Sequence, residues 1–158
     1  MSAPIPRMRP YQRRGLTEGE IAIGKAMFGD EIDWARVRVM QAPVLGFGAM
    51  VPRGRTIVFS RWPAARDFSE TGAGERGWFV HELMHVWQAA RGKTLALSKL
   101  KAIGARAYRY QAKAGAALKH YNIERQAEIA RHLYLARIGE AEADAPPRDW
   151  LEQVWAAR

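Results

Sequence analysis

The segment GWFVHELMHVWQAARG, residues 77–92, places two histidines and one glutamate among residues that are almost all apolar. Its periodicity predicts a helix from about residue 75 to Ala90, which Gly92 ends. A helix that is apolar around its circumference is buried, and a carboxylate buried without a partner is strongly destabilising. A metal ion bound in a buried cleft resolves this conflict, so the segment predicts a metal-binding helix inside the fold.

The spacing of His81 and His85 suits one divalent metal ion. Residues four apart lie on one face of a helix, where two neutral imidazoles can hold a tetrahedral zinc ion at about 2.0–2.1 Å per bond. Glu82 is expected to take a proton from zinc-bound water and pass it to a leaving amine. This motif is HExxH, the signature of metal-assisted hydrolysis. We predict one zinc ion per chain, with manganese, iron or nickel as alternatives.

A catalytic zinc site needs a third protein ligand and an open coordination position. The segment IERQAE places Glu124 and Glu128 one turn apart on a later predicted helix. We predict that Glu124 is the third ligand and that Glu128 supports the site by accepting the Nδ1–H of a ligand histidine. Glu128 itself and Glu140, in the segment EAEAD, are the alternatives for the third ligand.

Other polar residues have less defined roles. Gln88 lies seven residues after His81 and three after His85, so it either donates a hydrogen bond behind the ligands or lies on the surface. His132 lies two turns after Glu124, and we expect it to be structural, with metal ligation as the alternative. The oxyanion in such enzymes is usually stabilised by the metal together with a Tyr, His or Arg donor. Three tyrosines are available, and because the sequence does not rank them, none is assigned: Tyr108, Tyr110 and Tyr121.

The rest of the chain predicts a mixed α and β domain. Thr17 and Glu20 have the spacing of a capping box, and Gly29 stands where the helix would end. Alternation in WARVRVMQ and in RTIVFSR predicts two strands joined through LGFGAMVPRG. The second of these strands, over about 56–60, is expected to pair with an extended substrate. Further helices are predicted over the ranges 18–28, 98–118 and 121–138, with one or two turns in the tail WLEQVWAAR.

The composition excludes several classes of site. The chain has 158 residues, a net charge of +9 and no cysteine, which rules out disulfides, thiolate ligands and cysteine nucleophiles. No apolar run approaches the roughly 18 residues of a membrane span, and the basic N-terminus has no signal-peptide core. We expect residues 1–15 to be a flexible basic arm and residues 16–158 to be a single domain.

The positive charge is unevenly distributed, since no acidic residue lies between Glu82 and Glu124. This distribution predicts either a solvated basic helix face or a surface that binds nucleic acid. The basic stripe consists of Lys99, Arg106, Arg109 and Lys113.

Three segments together resemble a known family. HELMHVWQ resembles the HELxHVxQ form of the zincin signature. The segments FGDEIDWARVRV and RTIVF resemble the sequence that precedes this signature in the zincin-like core domain of loci for extracellular contractile injection systems. The same domain also occurs in Vgr-related proteins. YNIERQAEIARHLYL is similar to the segment that follows the motif in the Vgr-related proteins. The resemblance spans about residues 28–135.

The resemblance implies a zincin-like minimal metallopeptidase fold of the α+β class. In that fold a small mixed sheet packs on the HExxH helix, with additional helices toward the C-terminus. It implies zinc at His81 and His85 and a catalytic base at Glu82. Glu124 matches the glutamate of the E-x-x-A-D/E pattern that follows many HExxH motifs, and Glu128 takes the place of the more frequent aspartate.

These observations predict a gluzincin-like zinc metallopeptidase that acts on a peptide or protein and is associated with a phage-tail-like or type VI secretion apparatus. One alternative is a catalytically weak or inactive, zinc-stabilised structural module of such an apparatus. The other is a basic protease associated with nucleic acid. The protein is expected in the cytoplasm, or outside it after export by a contractile or type VI route.

Overall fold

The structure is a computed structural model that describes residues 3–43, 49–52, 54–60, 63–93 and 108–158. Within these ranges the chain forms four α-helices and one four-stranded sheet. The helices are α1 (Glu18–Phe28), α2 (Ala73–Ala90), α3 (Ile123–Arg137) and α4 (Arg148–Ala156). The strands are β1 (Arg13–Gly15), β2 (Arg38–Gln41), β3 (Ala49–Met50) and β4 (Thr56–Phe59). The predicted α+β class is confirmed.

The sheet has the strand order β1-β2-β4-β3. β2 and β4 are parallel, while β1 and β3 run antiparallel to their neighbours. Buried and half-buried residues alternate along β2 and β4, so the face that carries Val39 and Ile57 is turned inward. The two predicted strands are therefore confirmed. β4 lies between β2 and β3 rather than at an edge, so the expectation that it pairs with an extended substrate is wrong where β3 covers it.

Helix α1 has the bounds that its capping residues predict. The hydroxyl of Thr17 accepts a hydrogen bond from the Glu20 backbone N–H at 3.1 Å, and the Glu20 carboxylate accepts from the Thr17 N–H at 2.9 Å. Gly29 ends the helix with a φ of 57°, a left-handed conformation that glycine adopts without strain.

Helix α2 lies between the sheet and α3, and it contacts both. Its residues from Phe79 to Gln88 are all buried, including the polar ones. The absence of a side chain at Gly77 lets α3 approach closely, because a Cβ there would lie 3.2 Å from the Cγ of Arg131. The predicted buried helix is confirmed. None of the helices in the described ranges is both long and apolar enough to cross a membrane.

The N-terminal segment differs from the flexible arm that the sequence predicted. Over residues 3–15 it runs along the sheet, where Arg13–Gly15 pairs with β2 and the Met8 N–H donates to the carbonyl of Ala64 at 2.8 Å. Met8 itself is buried. A three-residue strand held by backbone hydrogen bonds leaves no periodic signal in the sequence, which explains the error.

The helix predicted over 98–118 lies partly outside the described residues. Its described part, residues 108–117, is not helical, and a short 3-10 turn follows at Leu118–His120. Gly115 has a φ of 70°, which interrupts a helix. The segment is held by long-range contacts instead, since the ring of Tyr110 stacks on Trp150 with centroids 6.0 Å apart. The later helix and the helical tail are confirmed as α3 and α4.

Candidate metal centre

The candidate site lies at the contact between α2 and α3. His81 and His85 project from successive turns of α2, and Glu124 and Glu128 lie in the first two turns of α3. Asn122 caps α3, and its side-chain oxygen accepts a hydrogen bond from the Arg125 N–H at 2.8 Å. The cap fixes where the helix begins, and so it determines which residues face α2.

His81 lies between two carboxylates. Its Nδ1 is 2.8 Å from Oε1 of Glu128, and its Nε2 is 3.2 Å from Oε2 of Glu124. All three side chains are buried. When Nδ1 carries the proton and donates to Glu128, Nε2 presents a lone pair toward Glu124.

His85 has the same arrangement with a neutral partner. Its Nδ1 lies 2.8 Å from the side-chain oxygen of Gln88, whose amide nitrogen donates to Gln126 and to the Ile123 carbonyl at 3.0 Å each. Since the Gln88 nitrogen is used in this way, its oxygen accepts from Nδ1 and the imidazole proton is on that atom. Nε2 of His85 is buried and has no hydrogen-bond partner among the described residues. It lies 3.3 Å from Oε2 of Glu124.

When both histidines are neutral, the same Glu124 oxygen therefore faces two imidazole nitrogens that present lone pairs. Ligand atoms bound tetrahedrally to zinc at about 2.0–2.1 Å lie roughly 3.3 Å apart. Oε2 of Glu124 lies 3.2 Å from Nε2 of His81 and 3.3 Å from Nε2 of His85, which matches this ligand-to-ligand separation. One ligand atom from each of these three residues falls within 4.8 Å of the others. The donor set and its spacing fit a divalent metal ion.

The charges of the site also favour the binding of a cation. Burial alone would lower the pKa of His81, but hydrogen bonds to Glu124 and Glu128, with the charge of Glu82, raise it to about 9. Burial would raise the pKa of Glu124, but its contacts with His81 and His85 hold that pKa well below the usual range. Without a metal ion the cluster retains a proton at neutral pH, and a cation can replace that proton.

Glu82 is also buried, with an exposed fraction of 3%. Its Oε2 has no hydrogen-bond partner among the described residues. The charge of Glu82 helps to raise the pKa of His81. The pKa of Tyr108 is raised mainly by burial, then by the charge of Glu124 and that of Glu82. A buried carboxylate with a free oxygen next to a candidate metal site is suited to accept a proton.

Sequence reasoning missed the residues behind Glu128. Arg131 donates through Nε to both oxygens of Glu128 at 3.3 Å, and through its terminal nitrogens to Glu142 at 2.6 and 2.9 Å. Its guanidinium also lies 5.5 Å from the ring of Trp78, which contacts His81. The i, i+3 spacing of Glu128 and Arg131 is visible in the sequence, but the contact of Arg131 with Glu142 depends on the loop after α3.

The alternative ligands lie elsewhere. Glu140 is exposed beyond the end of α3, and it is not part of the three-residue group. Glu128 contacts Nδ1 of His81, whereas Glu124 faces Nε2. His132 is engaged through Nδ1, which lies 2.5 Å from the hydroxyl of Tyr110, and its Nε2 lies 3.3 Å from Glu142. These contacts agree with the structural role expected of His132.

The three tyrosines differ in their position. The ring of Tyr108 lies 5.9 Å from that of His81, and 40% of the residue is exposed. Tyr110 contacts His132, and the hydroxyl of Tyr121 donates to the carbonyl of Gln111 at 2.8 Å. Of the three, Tyr108 is therefore the one that adjoins the candidate ligands.

Comparisons with known proteins give two likenesses. No family model matches the chain. The type VI secretion system spike protein VgrG2b of Pseudomonas aeruginosa (strain PAO1) is 33% identical over 144 residues, which cover 84% of this chain. The chain spans only 14% of the length of that spike protein. The solved effector domain of Pseudomonas aeruginosa VgrG2b is 30% identical with a TM-score of 0.68, over 91% of this chain and 82% of that one.

Proposed function

The chain belongs to the family of the VgrG2b effector domain, and we propose that it is a zinc-dependent metallopeptidase with a zincin-like active site. In this proposal His81, His85 and Glu124 bind the metal ion, and Glu82 is the catalytic base. Glu128 and Gln88 orient the two histidines through Nδ1. These residues lie on α2 and α3, where the two helices pack against each other.

The observation that carries the proposal is the position of one Glu124 oxygen, 3.2 Å and 3.3 Å from the Nε2 atoms of His81 and His85. Three acceptor atoms converge in a buried space, and such an arrangement is unfavourable unless a cation or a proton lies between them. Two histidines and one glutamate are the protein ligands of the thermolysin type of catalytic zinc site, which keeps a fourth position for water.

The residues around the cluster have the properties that peptide hydrolysis needs. A bound zinc ion polarises a carbonyl group and lowers the pKa of a water molecule to about 7. Glu82, with its unpaired Oε2, would be the group that holds the proton lost by the attacking water and releases it to the leaving nitrogen. We assign the hydrogen bond to the oxyanion to Tyr108, because its ring adjoins His81 and the residue is partly exposed. Burial keeps bulk water from screening these interactions.

The family membership supports a role in a type VI secretion apparatus. The relative that is 33% identical is a spike protein of that system, and the solved structure that this chain resembles is the effector domain of VgrG2b. We propose that this chain is an effector that such an apparatus carries out of the cytoplasm, and that its substrate is a peptide or protein.

The test of the proposal separates metal binding from turnover. Glu82→Gln keeps the size and polarity of the side chain but removes the base, so it is expected to lose peptide cleavage by about 100-fold or more while it retains one zinc ion per chain. Metal content is measured by mass spectrometry, and cleavage with a mixture of denatured proteins as substrate. Glu140→Gln has the same change of charge at an exposed position and is expected to keep both properties.

Two outcomes would favour the alternatives. A wild-type protein that binds zinc and cleaves none of the test proteins, and whose stability falls when zinc is removed, would support a zinc-stabilised structural module. Binding to DNA that weakens steeply with salt would support a nucleic-acid-associated protein. The structure gives the second alternative less support, since Arg7 and Arg14 of the basic arm are paired with Glu75 and Glu20.

A further inference from the structure

A cavity of about 750 Å³ lies at the N-terminal end of α3. Residues from the 109–116 segment form one wall, and His120, Tyr121 and Arg125 form the other. Its volume is within the range of about 300–1,000 Å³ that is typical of ligand sites. The cavity is separate from the buried metal cluster, whose residues do not line it.

The fully charged side chains that line the cavity are all positive. Arg109, Lys113 and Arg125 lie in its walls, and no acidic side chain of the described residues lines it or pairs with any of the three. The sequence between Glu82 and Glu124 contains no aspartate or glutamate that would neutralise them. Three cations held together without a counter-charge favour an anionic ligand.

Arg125 shows an unmet hydrogen-bonding capacity. Its Nε is buried and has no partner in the described part of the chain. Nε of Arg14 and of Arg76 also has no partner among the described residues. By contrast, Arg131 and Arg137 each form a two-bond contact with a glutamate, at 2.6 to 2.9 Å. Because this Nε of Arg125 is closed to solvent, a carboxylate in the cavity would be bound instead by the terminal nitrogens of Arg125, which form no hydrogen bond within the described residues. The N-terminal end of α3, with its partial positive charge, acts in the same direction.

Two residues that line the cavity directly follow, in the sequence, residues at the candidate metal site. Arg109 follows Tyr108, whose ring lies 5.9 Å from His81, and Arg125 follows Glu124. An extended peptide advances about 3.3 Å per residue. A side chain only a few residues from a bond held at the metal site can therefore reach the cavity.

We propose that this cavity binds a carboxylate side chain of the peptide substrate, and so selects aspartate or glutamate a few residues from the cleaved bond. The inference rests on the proposed peptidase function and adds the class of substrate. An acidic peptide fits better than a nucleic acid, because the three cations line one cavity and do not form an extended track for a phosphate backbone.

Equilibrium binding tests this inference without turnover. The protein is the zinc-loaded Glu82→Gln chain, and the probes are two fluorescent eight-residue peptides with blocked termini, one of alternating alanine and glutamate and the other of alanine and glutamine. We expect the glutamate peptide to bind about tenfold more tightly, since hydrogen bonds to charged groups contribute that much or more. Arg125→Gln should remove most of this difference, and so should Lys113→Gln if Arg125→Gln does not fold.

Lys119→Gln is the matched control, because it removes the same charge from the same segment but does not line the cavity. It should keep the preference for glutamate. Equal affinity for the two peptides, or an equal loss in the control, would overturn the inference. So would tighter, Arg125-dependent binding of a single-stranded oligonucleotide of similar charge. None of these results bears on the peptidase proposal, which is judged by cleavage in the wild type and its loss in Glu82→Gln.

Discussion

Nδ1 of His81 lies 2.8 Å from Oε1 of Glu128, across the contact between α2 and α3. This hydrogen bond determines which imidazole nitrogen carries the proton, and therefore which nitrogen faces Glu124 with a lone pair. Glu128 is in turn held by Arg131, and Arg131 by Glu142. The orientation of the candidate ligand is thus set by a chain of contacts that ends in the loop after α3.

Replacement of Glu128 is expected to weaken metal binding without preventing it. Loss of the group that orients a ligand histidine typically costs 10–100-fold in affinity, so we predict a decrease of about that size for Glu128→Ala. Competition with a chelator of known affinity measures the change. Glu140→Ala, an exposed glutamate beyond the same helix, serves as the control. Unchanged zinc affinity in Glu128→Ala would contradict the proposed role.

Metal affinity is expected to rise with pH. In the metal-free protein the pKa of His81 is about 9, because its hydrogen bonds to Glu124 and Glu128 outweigh the effect of burial. Zinc must then displace one proton at every pH below 9, so the apparent affinity should increase about tenfold per pH unit up to that value and then level off. Calorimetry in buffers of different ionisation enthalpy measures the released protons. Binding that releases no proton at pH 7 would contradict this assignment.

The same shift predicts how the stability of the metal-free protein depends on pH. The pKa of His81 is higher in the folded state, about 9, than the ordinary value of 6.5. Its contribution to the free energy of unfolding is therefore complete below pH 6.5 and is lost as the pH rises through 9. Urea unfolding of the zinc-free protein across this range is the measurement. His81→Gln should remove this part of the pH dependence, and an unchanged profile in that variant would assign it to another group.

Glu20 is expected to be the glutamate outside the metal site whose loss most destabilises the fold. It is fully buried, and it accepts hydrogen bonds from Arg14 at 2.7 Å and from the N–H groups of Thr17 and Phe68 at 2.9 Å. Glu20→Ala leaves the mostly buried Arg14 without a counter-charge, which should lower the free energy of unfolding by about 3–5 kcal/mol. Glu18→Ala, on the exposed side of the same helix turn, is the control for urea unfolding. Equal effects in the two variants would contradict the prediction.

Two glycines in helices should respond to alanine in opposite directions. A Cβ at Gly24 would overlap the ring of Trp34, so Gly24→Ala is expected to destabilise the protein by about 1–3 kcal/mol. A Cβ at Gly74 meets no atom within 4 Å, so Gly74→Ala is expected to be neutral or to stabilise by up to about 1 kcal/mol. Thermal unfolding of both variants, at constant zinc content, tests the pair. A destabilised Gly74→Ala or an unaffected Gly24→Ala would contradict it.

Local patterns in the sequence determined the main elements that position the site. The capping residues Thr17 and Glu20 gave the bounds of α1, and alternating apolar residues located β2 and β4, because both signals act between near neighbours in the chain. The apolar circumference of residues 77–92 predicted that α2 is buried. It also predicted that His81, Glu82 and His85 are buried, as they are in the structure.

Only the tertiary structure decided which residues meet those three. The distance between Glu124 and the histidines depends on how α3 packs on α2, and the approach at Gly77 that permits it is not a periodic feature of the sequence. The pairing of residues 13–15 with β2, and the non-helical path of residues 108–117, also depend on partners far along the chain. Long-range contacts of this kind overrode local preference, because they bury apolar surface and satisfy backbone groups that the local sequence alone does not specify.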